Sequence, residues 1–191
     1  MKIAIISDIH ENFHNLALFY KDIKQKNIEQ IFCLWDLINA WIAKVLSLSK
    51  IPVFTVWWNN DWTKVAITKV SLQPWSFLTV SDEVFDVFEI WGKKFFLTHY
   101  PLLAKSISKS WDYDVVCFWH SHKESINKTD ICISINPWSL GNFWTYSIYD
   151  TEKNSAEIIY LKDFIFTKTE FANNYHEEIW YERPNDKSRQ S

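Results

Sequence analysis

Three short stretches of this chain bring metal-binding side chains together at spacings that let them act jointly. Asp8 and His10 form an Asp-x-His pair in SDIH (7–10), and His120 and His122 form a His-x-His pair in WHSH (119–122). Asn59, Asn60 and Asp61 stand in one block, WNND (58–61), while Asp36 and His99 each follow a short apolar run. A spacing of two lets both side chains of a pair face one point at a strand end, because the strand period is two. Carboxylate, imidazole and amide donors without cysteine suit manganese, zinc, iron or similar divalent ions rather than a thiolate site.

Taken singly, each residue has an ordinary reading. Asp8 can cap a helix, Asp36 can make a turn, and His99 before Tyr-Pro can be a satisfied polar residue. The joint pattern points elsewhere. Seven donors, Asp8, His10, Asp36, Asn59, His99, His120 and His122, exceed the coordination of one ion and suit two. Asp36 can supply a shared carboxylate, since its two oxygens can bridge ions about 3.5–4 Å apart. Such an ion pair lowers the pKa of a bridging water to give hydroxide at neutral pH, and neutralises phosphate oxygens during in-line attack. Phosphoester hydrolysis is the chemistry that most needs this arrangement. His14, inside a helical pattern, and His176 stay outside the set.

The elements that must position these residues alternate in the first half of the chain. Lys2–Ser7 is a short β-branched run that predicts a buried strand. Phe13, Leu16, Ala17, Tyr20 and Ile23 recur at helical spacing and predict an amphipathic helix over Phe13–Lys26. Glu29–Leu34 and Pro52–Val56 predict two further strands, with a helix over Ala40–Ser47 between them. This βαβαβ order predicts a mostly parallel sheet with right-handed crossovers. From about residue 77, strands succeed one another at 84–90, 93–98, 114–118, 131–135, 144–149 and 156–162, interrupted by a short helix at Leu102–Ser108. The fold class is therefore α/β, with a second sheet packed on the first and helices outside. Ligands of open α/β sheets bind at the carboxyl ends of strands, where the candidate residues fall.

A chain of 191 residues suits one domain with a substantial core. Its net charge of -3 leaves no electrostatic footprint for nucleic acid or an anionic membrane. The apolar run Ile3–Ile6 is too short for a signal peptide or a spanning helix. Cys33, Cys117 and Cys132 lie inside strand-like runs, and an odd number of such thiols argues for a reducing compartment. A cytoplasmic monomer or small homo-oligomer acting on a small phosphoester is expected.

The ordered blocks SDIH, WD (35–36), WNND, TH (98–99) and WHSH resemble the calcineurin-like metallophosphoesterases, especially their small bacterial and archaeal phosphodiesterase branch. INPWSLG (135–141) is similar to that branch's Asn-Pro-Gly-Ser segment. The resemblance covers about residues 1 to 165 and implies a phosphoesterase domain over 1–167, leaving a polar tail at 168–191. It implies a four-layer αββα sandwich of two mixed sheets around a dinuclear centre. By position, Asp8, His10 and His122 would hold one ion, Asn59, His99 and His120 the other, and Asp36 would bridge them. Two divalent ions are implied, manganese first, with zinc, iron, nickel or magnesium as substitutes. Asn60 and Asp61 are the candidate catalytic positions. Many relatives carry histidine where this chain has Asn60, and an amide cannot protonate a leaving group near neutral pH. The small-phosphodiesterase branch commonly lacks that histidine too, which favours leaving groups that need little protonation, or proton delivery by water.

Where the family has glycine before its ligands, this chain has Trp35, Trp58, Trp119 and Trp138, and Trp62, Trp91 and Trp111 also occupy glycine-like turns. The chain holds 2 glycines and 12 tryptophans, where ordinary glycine usage predicts about 13 glycines. Tryptophan fills the shortfall. This pattern is expected if the gene comes from an organism that reads UGA as glycine and the codon is rendered here as tryptophan. Genuine tryptophans at those places would crowd the metal site and weaken activity. Two other functions compete with a phosphodiesterase or phosphatase: a non-catalytic scaffold of the same fold, like the retromer subunit that resembles this family, and a single-metal enzyme. Retention of His10, His99, His120 and His122 favours the enzyme over the scaffold, and a single ion would leave Asp36 or Asn59 without a role.

Overall fold

The computed structural model describes residues 1–34, 37, 39–57, 63–81, 83–121 and 123–161. Two sheets form its centre. The first takes β1 (Lys2–Ile6), β2 (Ile28–Cys33), β3 (Val53–Thr55), β4 (Leu78–Val80), β10 (Thr145–Asp150) and β11 (Ser155–Tyr160), ordered β11-β10-β1-β2-β3-β4. The second takes β5 (Phe85–Ile90), β6 (Lys93–Thr98), β7 (Val115–Cys117), β8 (Ser125–Lys128) and β9 (Ile133–Asn136), ordered β5-β6-β7-β9-β8. β1 to β4 run parallel, as the alternating order predicts, and β10 and β11 add antiparallel strands beside β1. In the second sheet β6, β7 and β9 are parallel, while β5 and β8 join its edges antiparallel. Both sheets are mixed.

The period-two alternation of the strands sorts their side chains into separate cores. Ile3, Ile5, Phe32, Phe54 and Tyr149 pack with Phe95, Leu97, Val115, Cys117, Ile133 and Ile135 between the sheets. The opposite residues, Ala4, Ile6, Ile31, Cys33, Val53 and Ile148, pack under α1 (Phe13–Ile23), α2 (Ala40–Ser47) and α3 (Lys64–Ser71). On the outer side of the second sheet Phe96, Val116 and Cys132 meet Ala104 of α4 (Pro101–Ile107). Strands buried on both faces read as unbroken apolar runs, which is why they stand out in the sequence.

The spans of α2 and β6 agree with the expected ones to the residue. α1 stops at Ile23 rather than Lys26, because the chain turns through Asn27, whose φ is +53°. Four elements carry no sequence expectation: α3, β4, β8 and the short α5 (Leu140–Phe143). α3 buries only Ile67, so it lacks the apolar stripe that marks a helix. The proposed tail at 168–191 lies outside the described residues. The three cysteines are buried, and none forms a disulfide among the described residues. Burial is the chief cause that pushes the Cys132 thiol up to about 11, so it stays protonated at neutral pH.

The segment after β9 ties the carboxyl end of the second sheet to that of the first. Asn136, fully buried, donates from Nδ2 to Ser121 Oγ at 2.8 Å and accepts from the Trp138 amide at 2.9 Å. The Trp138 carbonyl then accepts from Ser7 Oγ at the end of β1. The Leu140 amide donates to Ser7 O at 3.0 Å and the Gly141 amide to Asp8 O at 2.8 Å. From α1, Asn15 Nδ2 donates to the Leu140 and Gly141 carbonyls at 2.8 and 2.9 Å, and Asn12 Nδ2 to Gly141 O at 2.8 Å. Residues 7–9 and 139–141 are thus held backbone to backbone. A Cβ at Gly141 would stand 2.4 Å from Ile9 O and 2.7 Å from Asp8 O, so only glycine permits this approach.

Alanine is ordinarily the better helix former, so the sign of Gly141→Ala is decided by the clash. The variant should lose about 1–3 kcal/mol in denaturant melts, the usual scale of overpacking. A stability equal to the parent would show that the two segments do not bear on each other.

Candidate metal centre

β1 ends at Ile6, and Asp8 and His10 follow on a sharply bent backbone. Asp8, His10 and Glu11 all have positive φ, at +49°, +46° and +58°. Such backbone is uncommon outside glycine and is held here by the bonds from Leu140 and Gly141. Glu11 is drawn aside by Asn39 Nδ2, the residue that caps α2. Asp8 is 2% exposed. Its Oδ2 lies 3.6 Å from His10 Nε2, and its Oδ1 is buried without a hydrogen-bond partner among the described residues. Leaving a carboxylate oxygen unsatisfied in the interior costs several kcal/mol unless a cation or a donor reaches it. Asp8 does not cap α1; Asn12 does, accepting from the Asn15 amide at 3.0 Å.

His99 follows β6 and is fully buried, while His120 follows β7 on a backbone with φ +77° and is exposed. The two imidazoles converge, with His99 Nε2 and His120 Nδ1 2.8 Å apart. That spacing suits a shared proton, or two nitrogens turned toward one cation. Trp119 packs its ring 5.4 Å from that of His99, and Tyr100 meets His99 edge-on at 5.7 Å. Ser121, between His120 and His122 in sequence, is the residue bonded by Asn136.

Of the nine candidate site residues, Asp8, His10, His99 and His120 are described, at the ends of β1, β6 and β7. Asp36, Asn59, Asn60, Asp61 and His122 lie outside the described residues. Among the described residues no group of three or more His, Cys, Asp or Glu is close enough to hold a metal ion. The donors that are described nonetheless fit divalent cations. They are oxygen and nitrogen donors, they come in adjacent pairs, and one buried carboxylate oxygen is unsatisfied among the described residues. Sequence reasoning did not single out Asn12 and Asn15, and it marked the segment 135–141 only as a family likeness without giving Asn136, Ser139 and Gly141 the part they play in holding the candidate loops. Ser139 Oγ lies 3.3 Å from Asp8 O and caps α5 through the Asn142 amide at 3.0 Å.

Known proteins are similar to this chain in sequence and fold. Phosphodiesterase MJ0936 of Methanocaldococcus jannaschii is 28% identical over 168 residues, covering 85% of this chain and 100% of that protein. A solved archaeal phosphodiesterase superposes with a TM-score of 0.72 at 25% identity, over 83% of this chain and 99% of its own. YfcE, a phosphoesterase from E. coli, shares the fold with a TM-score of 0.64 at 19% identity, over 85% and 94%. Residues 1–154 match the calcineurin-like phosphoesterase superfamily domain, and with its two mixed sheets flanked by helices the chain belongs to that superfamily.

Proposed function

We propose that this protein is a metal-dependent phosphodiesterase. The observation that carries the proposal is the pairing of Asp8 with His10 and of His99 with His120 at strand ends that the 136–141 segment ties together. The likeness to a phosphodiesterase over its whole length supports the same reaction class.

Asp8, His10 and His122 would hold one divalent ion, and Asn59, His99 and His120 the other, with Asp36 between them. When bound, two such ions supply hydroxide at neutral pH and neutralise charge on the phosphate. The protein's own part is to fix the donors. Asp8 is held through its backbone carbonyl by Gly141 and Ser139, and its side chain is almost wholly buried. The fully buried His99 presents Nε2 toward His120 and keeps bulk water from that face. Asn60 can orient a phosphate oxygen or the leaving group but cannot donate a proton as an acid, so leaving groups of low pKa are turned over fastest. Asp61 would orient Asn60 or a water next to it. Manganese is the first ion to test, with zinc, iron, nickel and magnesium compared beside it. The substrate would be a small phosphoester in the cytoplasm, with no role for nucleic acid or membrane. No helix among the described residues is long and apolar enough to cross a membrane.

The test uses the chain with glycine at Trp35, Trp58, Trp119 and Trp138, assayed with Mn²⁺ on bis-p-nitrophenyl phosphate and on the monoester. Turnover of the diester is expected, abolished by chelation and restored by Mn²⁺. Metal binding without turnover of either compound would instead identify a scaffold.

Asp8→Asn and His99→Ala should each lower kcat at least about a hundredfold, beyond the loss typical of groups that only support a ligand. Asp36→Asn and His122→Ala should also be inactive. Full activity in both of the latter would remove the two-ion mechanism.

A further inference from the structure

Three tryptophans occupy backbone positions that select glycine, each through a different local geometry. β5 and β6 are joined by the two residues Trp91 and Gly92, with Ile90 paired to Lys93 across the hairpin. Both have positive φ, +53° and +70°. A two-residue hairpin with positive φ at both central positions is a type I′ connection, which favours Asn-Gly or Gly-Gly. Trp144 ends α5 with φ +60° and ψ +35°, the left-handed helix cap that glycine fills by default. Trp138 follows Asn136-Pro137 with φ +63°, and a turn with proline first and positive φ second requires glycine there. A bulky side chain on such backbone is an outlier in its own right.

Strain of this kind persists where surrounding structure or function compels it. Trp91 is 40% exposed and Trp144 37%, so neither is driven into place by packing. The Trp138 ring stacks on Phe143 with centroids 3.7 Å apart, while its Nε1 is buried without a hydrogen-bond partner among the described residues. Trp111 is 85% exposed, so its indole buries almost nothing. Left-handed backbone elsewhere falls mostly on residues that tolerate it, such as Asn27 and Asn154.

We infer that in the protein as its own cells make it, residues 91, 138 and 144 are glycine, the codon behind these tryptophans being read there as glycine. Backbone conformation carries this inference for positions 91 and 144, which lie outside the metal-ligand blocks. It does not depend on the phosphodiesterase assignment. It has a consequence for the site all the same. Removing the ring at 138 leaves its turn intact, since that turn is made by the Asn136 side chain and the residue's own amide and carbonyl. Extended to Trp119, the same decoding removes the buried indole that packs beside His99.

Peptide mass spectrometry of the protein isolated from the cells that encode it decides the matter. Trypsin releases Thr129–Lys153, which contains both Trp138 and Trp144. The expected mass is that of the peptide with two glycines in their place, and a peptide carrying both tryptophans overturns the inference. A second measurement uses the chain with tryptophan throughout. Trp91→Gly and Trp91→Ala remove the same ring, but only glycine relieves the backbone. The glycine variant should melt above both the parent and the alanine variant. An alanine variant at least as stable as the glycine one would show that the hairpin does not select glycine.

Discussion

The candidate metal centre depends on one contact between distant parts of the chain, the docking of residues 136–141 on the turn after β1. Asn136 grips the loop that carries His120 and His122 by way of Ser121. Five residues later Gly141 bonds the carbonyl of Asp8. The first sheet supplies one candidate pair and the second sheet the other, and side chains on separate sheets that are to act together must be fixed relative to each other more tightly than a hydrophobic interface alone ensures. Sheet packing sets the spacing of the layers. The hydrogen bonds of this segment set the position of individual loops, and directional bonds to backbone are suited to that task.

The same contact explains how the backbone at Asp8, His10 and Glu11 can remain in the left-handed region. Each such residue raises the energy of the folded state, and a free loop would relax. Here the Ser7 and Asp8 carbonyls are both engaged by amides of α5, and Asn12 and Asn15 of α1 hold α5 from the other side. Strain is retained because the bonds on both flanks would be lost on relaxing it. A buried carboxylate with one oxygen unsatisfied among the described residues adds a second unfavourable term at the same place. Both are expected of a site preorganised for a cation.

What the sequence makes legible follows from how far each signal reaches. Ala4, Ile6 and Ile31 alternate with Ile3, Ile5 and Phe32, so β1 and β2 announce themselves within a few residues. The candidate site residues are equally visible, because Asp8, His99 and His120 stand within three residues of the ends of such strands. α3 is silent, since one buried isoleucine makes no stripe, and β8 is a four-residue edge strand that is half solvent-facing. The loop-holding residues are illegible for another reason. Asn15 meets Leu140 and Gly141 across about 125 positions, and no local periodicity encodes a bond of that span. Only Asn136-Pro137 gives a turn signal. The left-handed helix cap at Trp144 inverts the usual order of inference, since its backbone favours a residue type that nothing around it in the sequence suggests.

The pairing of β1 has a bearing on how the chain acquires its structure during synthesis. β1 is made before either of its neighbours and sits inside its sheet, with β2 on one side and β10 on the other. Lys2 pairs with Asp150, and Thr151 bonds back to Met1. Until residue 150 emerges, β1 keeps one long apolar edge open. Loop-closure entropy makes such a non-local pairing slow, and an unpaired strand edge is an invitation to association. β1 therefore waits with β2 alone beside it until β10, about 140 residues later, is made to shield its other edge.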